Sequence, residues 1–306
     1  MSEIVIDNVR WAGAKPRLSV LIPFKGDDPG PLLAALGREA GDAEIVLLDD
    51  GSDDAVLTAR VEALIHAHPL PVRFVQLARN EGRAKGRNRL VGHARAQTFL
   101  FLDSDMLPDG PDFLATWLGL VETDDPPVAF GGFSLAQVEA RRDQALHRAM
   151  ASHADCLAAA ERRAAPEKHL FTSNLLVRRD VFEAEAFDEG FTGWGWEDVE
   201  WGMRVARRWP ILHLDNPATH LGLDTAPVIA AKFEQSAANF ARVVAAHREV
   251  VSAYPSYRVA RVLKRAPLRD LWRPLLKSYA LIEGAPLKSR AFAMRLYRAA
   301  LYAEAV

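Results

Sequence analysis

Asp103 and Asp105 flank Ser104 directly after the apolar residues 99–102. Two carboxylates one residue apart at the end of a strand can face one cation. Their oxygens suit Mg²⁺ or Mn²⁺, and a diphosphate can supply further ligands. An Asp-x-Asp alone is common in solvated loops, so the preceding strand is what makes this pair a candidate. A second acid pair, Asp49 and Asp50, runs into Gly51 and Ser52 after another apolar stretch. Ser52 and Asp53 read as a helix cap. The two carboxylates are then left at the sheet edge, where they can accept from a base N–H or from ribose hydroxyls. Residues 193–198 combine two glycines, the indoles of Trp194 and Trp196, and the adjacent acids Glu197 and Asp198. Indole faces suit sugar rings, and a carboxylate beside them can act as general base toward a hydroxyl. The plainer reading is a core tryptophan pair beside a helix cap. His213 and His220 follow. A lone histidine is most often a packed or surface residue, but His220 lies in a loop-like stretch and can complete an O/O/N cation shell.

Residues 79–89 carry five cations, among them Lys85 and Arg87. The glycine spacing and the Lys-Ser/Thr of a Walker A loop are missing. A solvated basic helix face or a nucleic-acid contact would use the same residues. The acidic body of the chain argues against nucleic acid, and a phosphate-facing helix start beside the acidic loop fits better.

Apolar runs at 18–22, 44–48, 72–77 and 98–102 read as strands, with helical stretches at 31–40, 53–67 and 82–96 between them. Strands alternating with helices imply an α/β fold with a mostly parallel sheet, whose ligands sit at the carboxyl ends of the strands. Both acid pairs fall there. Farther on, 112–121 reads as a helix, 128–133 as a strand, 137–163 as one long Ala-rich helix and 171–177 as a strand. Residues 188–201 read as a functional loop leading into a helix, and everything after Thr225 as helical.

The chain has 306 residues, 49% of them hydrophobic, enough for one large α/β domain with an appendage. One cysteine, Cys156, excludes an intramolecular disulfide and a thiolate zinc site, and suggests a reducing, cytoplasmic setting. The first residues lack the pattern of a signal peptide, and no stretch approaches the ~18 apolar residues of a membrane span. The net charge of −2 hides an asymmetry: residues 232–306 hold 14 Lys and Arg against 5 Asp and Glu. Basic and apolar residues alternate there, with Trp272, Tyr279, Phe292 and Tyr297. Such a tail suits peripheral contact with an anionic membrane, at the inner face of the cell membrane. It suits equally a helical appendage packed on the catalytic domain, or a dimer contact.

Pro23, the 49–52 block, Asn80 and Gly82 with Arg87 and Asn88, and then Asp103-Ser104-Asp105 occur in an order that resembles the family 2 glycosyltransferases of GT-A fold. Residues 187–198 look like the acceptor region of chondroitin-polymerase-type and β-1,4-galactosyltransferase-type enzymes. Together the matches cover residues 17–222. The resemblance implies a catalytic domain over residues 1–224, with a nucleotide-binding half at 17–108 and an acceptor half at 109–224, and a basic helical extension at 225–306. It implies that Pro23, Asp49, Asp50, Asn80, Lys85, Arg87, Asp103 and Ser104 hold a nucleotide-sugar donor, UDP-linked. Asp105 and His220 would bind Mn²⁺ or Mg²⁺. Asp198 would be the catalytic base, with Glu197 helping to hold the acceptor beside Trp194, Trp196, Ser173 and Asn174. Two departures stand out. Trp196 replaces the glycine usual in the related galactosyltransferases, and Lys25-Gly26 replaces a more hydroxylated or Asn-containing stretch.

The expected reaction is an inverting transfer of a sugar to a hydroxyl of a glycan or lipid-linked acceptor, in polysaccharide or glycoconjugate synthesis. A retaining transferase or a sugar nucleotidyltransferase could share the fold, although the latter normally has a Gly-rich basic loop after the first strand, and residues 22–27 have little of one. A non-catalytic sugar-binding protein is the remaining rival.

Overall fold

A computed structural model describes residues 3–306. The first half alternates β1 (Glu3–Asp7), β2 (Leu18–Phe24), α1 (Gly30–Leu36), β3 (Ala43–Asp49), α2 (Ala55–Ala67), β4 (Val72–Leu77), α3 (Arg83–His93) and β5 (Thr98–Leu102). The second half is less regular. It contains β6 (Met106–Pro108), α4 (Phe113–Thr123), β7 (Val128–Phe130), β8 (Phe133–Ser134), α5 (Ala145–Ala154), α6 (Ala159–Arg162), β9 (Asn174–Arg178), α7 (Arg179–Ala184), α8 (Glu197–Val205), β10 (Ile211–His213) and β11 (Ala218–His220). Four helices close the chain: α9 (Ala226–Val251), α10 (Pro255–Lys264), α11 (Arg269–Leu281) and α12 (Leu287–Tyr302).

Eight strands form one sheet in the order β1-β4-β3-β2-β5-β9-β7-β10, and β6-β11-β8 form a small second sheet. β4, β3, β2 and β5 run parallel. β3 is buried along its whole length, which suits its continuous apolar sequence at the sheet centre. Successive β2 residues feed opposite faces: Val20 and Ile22 pack with α1 and α2, and Leu21 packs with α3 on the other side. Glu44 is fully buried in β3, but Ser19 Oγ donates to it at 2.6 Å and Arg95 Nε at 2.7 Å, so the charge is paired.

The strand order reverses between β2 and β5, since β2 is followed in sequence by its neighbour β3 on one side and much later by β5 on the other. Such a switch point leaves a crevice at the carboxyl ends of the strands. Asp103 stands at its lip.

Three readings of the sequence need correction. β1 is an antiparallel edge strand on β4 that the pattern of apolar runs did not reveal, because it is half exposed. α2 is capped by Asp54, which accepts from the Val56 and Leu57 amides, rather than by Ser52 or Asp53. Residues 137–163 are not one helix. Asp155 N and Cys156 N both turn back onto Ala151 O to end α5, and Ala159 N donates to Asp215 to start α6. No Gly or Pro marks that break. Contacts with distant residues make it, above all buried Arg162, which donates to His213 Nδ1 and to the carbonyls of Leu157 and Leu214.

Candidate active site

The acidic loop is held by the small sheet. β6 begins one residue after Asp105 and pairs antiparallel with β11 in the register His220↔Met106. Leu221 N donates to Asp105 O and carries the ladder one step further. This register sets His220 beside Asp105, with Nε2 3.2 Å from Oδ2. Burial drives the Asp105 carboxyl up, but the bond and charge of His220 outweigh it and leave the pKa below the usual value. Burial likewise lowers His220, and Asp105 more than reverses that. Space beside the carboxylate is scarce, because a Cβ at Gly222 would stand 1.9 Å from Asp105 Oδ2.

Among the described residues no three His, Cys, Asp or Glu cluster as a self-sufficient cation cage. That does not count against Mg²⁺ or Mn²⁺, which are commonly held by one or two protein ligands plus substrate phosphates. The Asp105 carboxylate and His220 imidazole, side by side on a cavity wall, fit that partial donor set.

The other acids stand on α8. Trp196 precedes the helix with φ 77°, a left-handed conformation that a bulky side chain rarely adopts. Glu197, Asp198 and Glu200 occupy the first turn, where the helix dipole favours negative charge. Arg83 Nε donates to Glu197 at 2.7 Å, and its guanidinium lies 3.7 Å from Asp103. Arg87, fully buried, donates to Asp103 at 2.7 Å and stands 3.6 Å from Glu197. These two arginines of α3 therefore bolt the Asp103 loop to the start of α8. Burial would raise Glu197, but Arg83 and Arg87 hold it below the usual range. Asp198 has no such partner. Its carboxyl accepts from the Val199 amide, and burial with the neighbouring Glu197 charge pushes it up to about 7.

Asp105, His220, Glu197 and Asp198 share one cavity of about 830 Å³. Trp194, Trp196, Thr172 and Ser173 line it as well. A smaller recess of about 170 Å³ adjoins it and shares Asp27, Arg83, Asp103 and Asp105. Pro23, Lys25, Asp50, Arg87 and Ser104 also line it.

The remaining candidates from the sequence stand differently. Asp49 is buried and accepts from Ser52 N at 2.8 Å and Ser52 Oγ at 2.5 Å, which shapes the turn. Asp50 faces the recess, yet its oxygens already accept the amides of Glu81 and Gly82. Those amides at the start of α3 are therefore engaged, and Arg83 is the group that α3 presents to the cavity. Asn80 caps its own turn by accepting Gly82 N, and Lys85 lies 3.9 Å from Glu81; neither lines the cavity or the recess. Asn174 is fully buried and donates to the carbonyls of Gly132 and Asn216, so it braces β9 from below. Trp196 donates from Nε1 to Tyr302 OH at 2.9 Å and packs on Phe240, so one of its edges is core while another lines the cavity. His213 is buried between Arg162 and Pro166 O, away from the cavity.

Some cavity residues were not singled out from sequence. Asp27 follows β2 as Asp103 follows β5, a signal that strand ends alone could have supplied. Asp224 and His147 sit near His220, with Asp224 N donating to His147 Nδ1 at 2.7 Å. His147 lies within an Ala-rich stretch that gave no hint of a site. Tyr254, Arg295, Arg298 and Tyr302 come from the C-terminal helices and form a further wall.

Residues 19–185 match the Glycosyl transferase family 2. The chain belongs to that family. Over 73 residues it is 41% identical to the succinoglycan biosynthesis protein ExoO of Rhizobium meliloti (strain 1021), a stretch covering 24% of this chain and 20% of that protein. The chain spans less than a third of the length of the curated relatives it matches. Among solved structures it resembles the mannosyltransferase PcManGT of Pyrobaculum calidifontis, in complex with GDP-Man and Mn²⁺, with a TM-score of 0.60 at 15% identity over 96% of this chain and 88% of that one. It also resembles S. aureus TarS 1-349 in complex with UDP, with a TM-score of 0.53 at 15% identity over 94% of this chain and 90% of that one. At these identities the likeness is one of fold: a mostly parallel central sheet flanked by helices, with a helical C-terminal region.

Proposed function

We propose that this chain transfers a sugar from a nucleotide sugar, UDP-linked, to a hydroxyl of a glycan or lipid-linked acceptor, with inversion at the anomeric carbon. The observation that carries the reading is that Asp103, Asp105 and His220 open onto the same cavity as Asp198. Family membership and structural neighbours that hold GDP-Man with Mn²⁺ or UDP support it.

Asp105 and His220 would hold a divalent cation. When bound, that cation would neutralise the departing diphosphate. Pro23 and Asp50 would border the nucleoside, and Asp103, fixed by Arg87, the ribose or donor sugar. Arg83 brings a positive charge to the cavity near the same leaving group. Asp198 accepts the proton of the acceptor hydroxyl as its oxygen attacks. A carboxylate with a pKa of about 7 is a stronger base than an ordinary one and is half ionised at that pH and more so above it. The Trp194 and Trp196 walls, with Thr172 and Ser173, would receive the acceptor in the manner of the chondroitin-polymerase-like region.

A thermal-shift screen of nucleotide sugars with and without Mn²⁺ tests the reading. Stabilisation by UDP or a UDP-sugar only with the metal is expected, and its loss in Asp105→Ala. No stabilisation by any nucleotide in either condition contradicts it. NMR of the product's anomeric configuration separates inversion from retention.

The tail supports a second part of the proposal, peripheral contact with an anionic membrane. No helix among the described residues is long and apolar enough to cross one. Leu268, Leu271, Leu275, Tyr279 and Ile282 instead form a stripe at helical spacing along α11, exposed by 39–70%. Exposed Val262 on α10 adds to it, among the cations of a strongly basic tail. Co-sedimentation with vesicles rich in anionic lipid is expected, and weaker pelleting of Leu271→Glu/Leu275→Glu. Equal pelleting of both proteins removes the membrane.

A further inference from the structure

The cavity is charged unevenly. Asp27, Asp103, Asp105, Glu197 and Asp198 gather at the end formed by the sheet and α8. The wall contributed by α12 brings the opposite sign, with Arg295 and Arg298 both lining the cavity; Lys168 and the acid Asp155 line it too. Among the described residues these three cations make no ion pair and no side-chain hydrogen bond. Arg298 lies over the ring of Phe233 at 4.9 Å and Lys168 over Tyr254 at 5.7 Å. Elsewhere in the tail Arg269 and Arg273 meet Glu304 and Lys277 meets Glu234, while Arg248, Arg258, Arg261, Arg265 and Lys288 stand on the exposed surface outside the cavity. Of the cations that line the cavity, Arg83 and Lys232 are paired with Glu197 and Asp224, and Lys168, Arg295 and Arg298 are not.

Positions 295, 298 and 302 share one face of α12. Tyr302 OH accepts from Trp196 Nε1, two residues before Asp198. At 1.5 Å rise per residue, Arg298 stands about 6 Å and Arg295 about 10 Å back along the helix axis from Tyr302. The pair therefore faces substrate one to two helical turns beyond the anchored edge of the base-bearing loop. The carboxyl that feels both arginines is Asp155, which burial pushes up to about 6 and which makes no ion pair with either of them. A guanidinium is a planar fork of donors matched to a carboxylate or phosphate. Arg298 is half-buried and Arg295 exposed, so both forks remain free to meet an incoming anion.

We propose that Arg295 and Arg298 form an oxyanion subsite for the acceptor, so that the acceptor is an anionic glycan carrying a phosphate or carboxylate near the hydroxyl attacked. This rests on the glycosyl-transfer reading and names its acceptor class. The donor diphosphate is served at the opposite pole, by Asp105, His220 and Arg83.

The test titrates the full chain, saturated with UDP and Mn²⁺, with three oligosaccharides of matched length: neutral, hexuronate-bearing and phosphodiester-linked. At least one anionic probe is expected to bind about ten-fold or more tightly than the neutral one. Whichever wins identifies the oxyanion. Arg295→Gln/Arg298→Gln should abolish the preference while leaving the Kd for UDP unchanged. Arg295→Gln, at a more exposed position, should weaken it without disturbing the packing on Phe233. Equal affinity for all three probes, no binding of either anionic probe, or a preference that survives in the double variant overturns the subsite. If the double variant loses UDP affinity instead, the arginines serve the donor and the subsite is again overturned. If the wild type shows no Mn²⁺-dependent UDP binding, the transfer reading fails first and the subsite with it.

Discussion

Asp198 and Glu197 are adjacent carboxyls that differ in their partners. Arg83 and Arg87 hold Glu197 ionised, while burial and the Glu197 charge raise Asp198 to about 7. A base must be ionised to act. The kcat/KM for transfer should therefore rise with pH along a limb near 7 and level off above it. Glu197→Gln removes the like charge and should move that limb to lower pH; an unmoved limb would show that the two carboxyls do not interact. The same shift affects stability. The folded pKa lies above the ordinary carboxyl value, so ionising Asp198 costs folding stability as pH climbs from about 4 to about 7. Arg87 is the converse case, a buried charge that donates to Asp103 and lies 3.6 Å from Glu197. Arg87→Ala should cost about 3–5 kcal/mol in a denaturant titration, because it takes away the hydrogen-bonded partner of Asp103 and leaves Arg83 alone to offset both acids. Most of the acids in this site were legible in the sequence, since each follows an apolar strand or opens a helix. The bolts, Arg83 and Arg87, could be read only as members of a basic run, because their partners lie up to 114 residues away.

At the scale of elements, register does the positioning. The pairing of β11 with β6 sets His220 against Asp105, and Gly222 leaves room for that carboxylate. Gly222→Ala should displace Asp105 and weaken metal-dependent UDP binding, at a stability cost of about 1–3 kcal/mol. Gly284→Ala, where an added Cβ meets nothing, is the control and should change neither. The loop before α8 is fastened in a different way. Asn239 of α9 donates to the carbonyls of Thr192 and Gly195, and Tyr302 joins Trp196 to Ser236. Tyr302→Phe should cost about 1 kcal/mol of stability and lower kcat more than it alters UDP affinity. Apolar runs revealed the four parallel strands because β2, β3 and β5 are buried on both faces and β4 on most of its length. They could not reveal where residues 137–163 break, since His213, Leu214 and Asp215 set that from outside the segment.

Across the whole molecule, the basic C-terminal helices are a working wall of the cavity as well as an appendage. Aromatic packing of Trp196, Phe240 and Tyr302 ties them to the acid-bearing loop. The charge asymmetry between body and tail was visible from composition. That it becomes an acidic pole and a basic pole of a single cavity was not, because α12 meets α5 and α9 only in the folded chain. The central claim is that Asp198 is the base at the meeting point of the two poles. It is tested most directly by measuring sugar transfer and UDP binding side by side in Asp198→Asn. Transfer is expected to fall by about 10²–10⁴-fold, with Mn²⁺-dependent UDP affinity retained and the melting temperature raised by about 2 °C or more. Wild-type turnover in that variant would contradict the assignment.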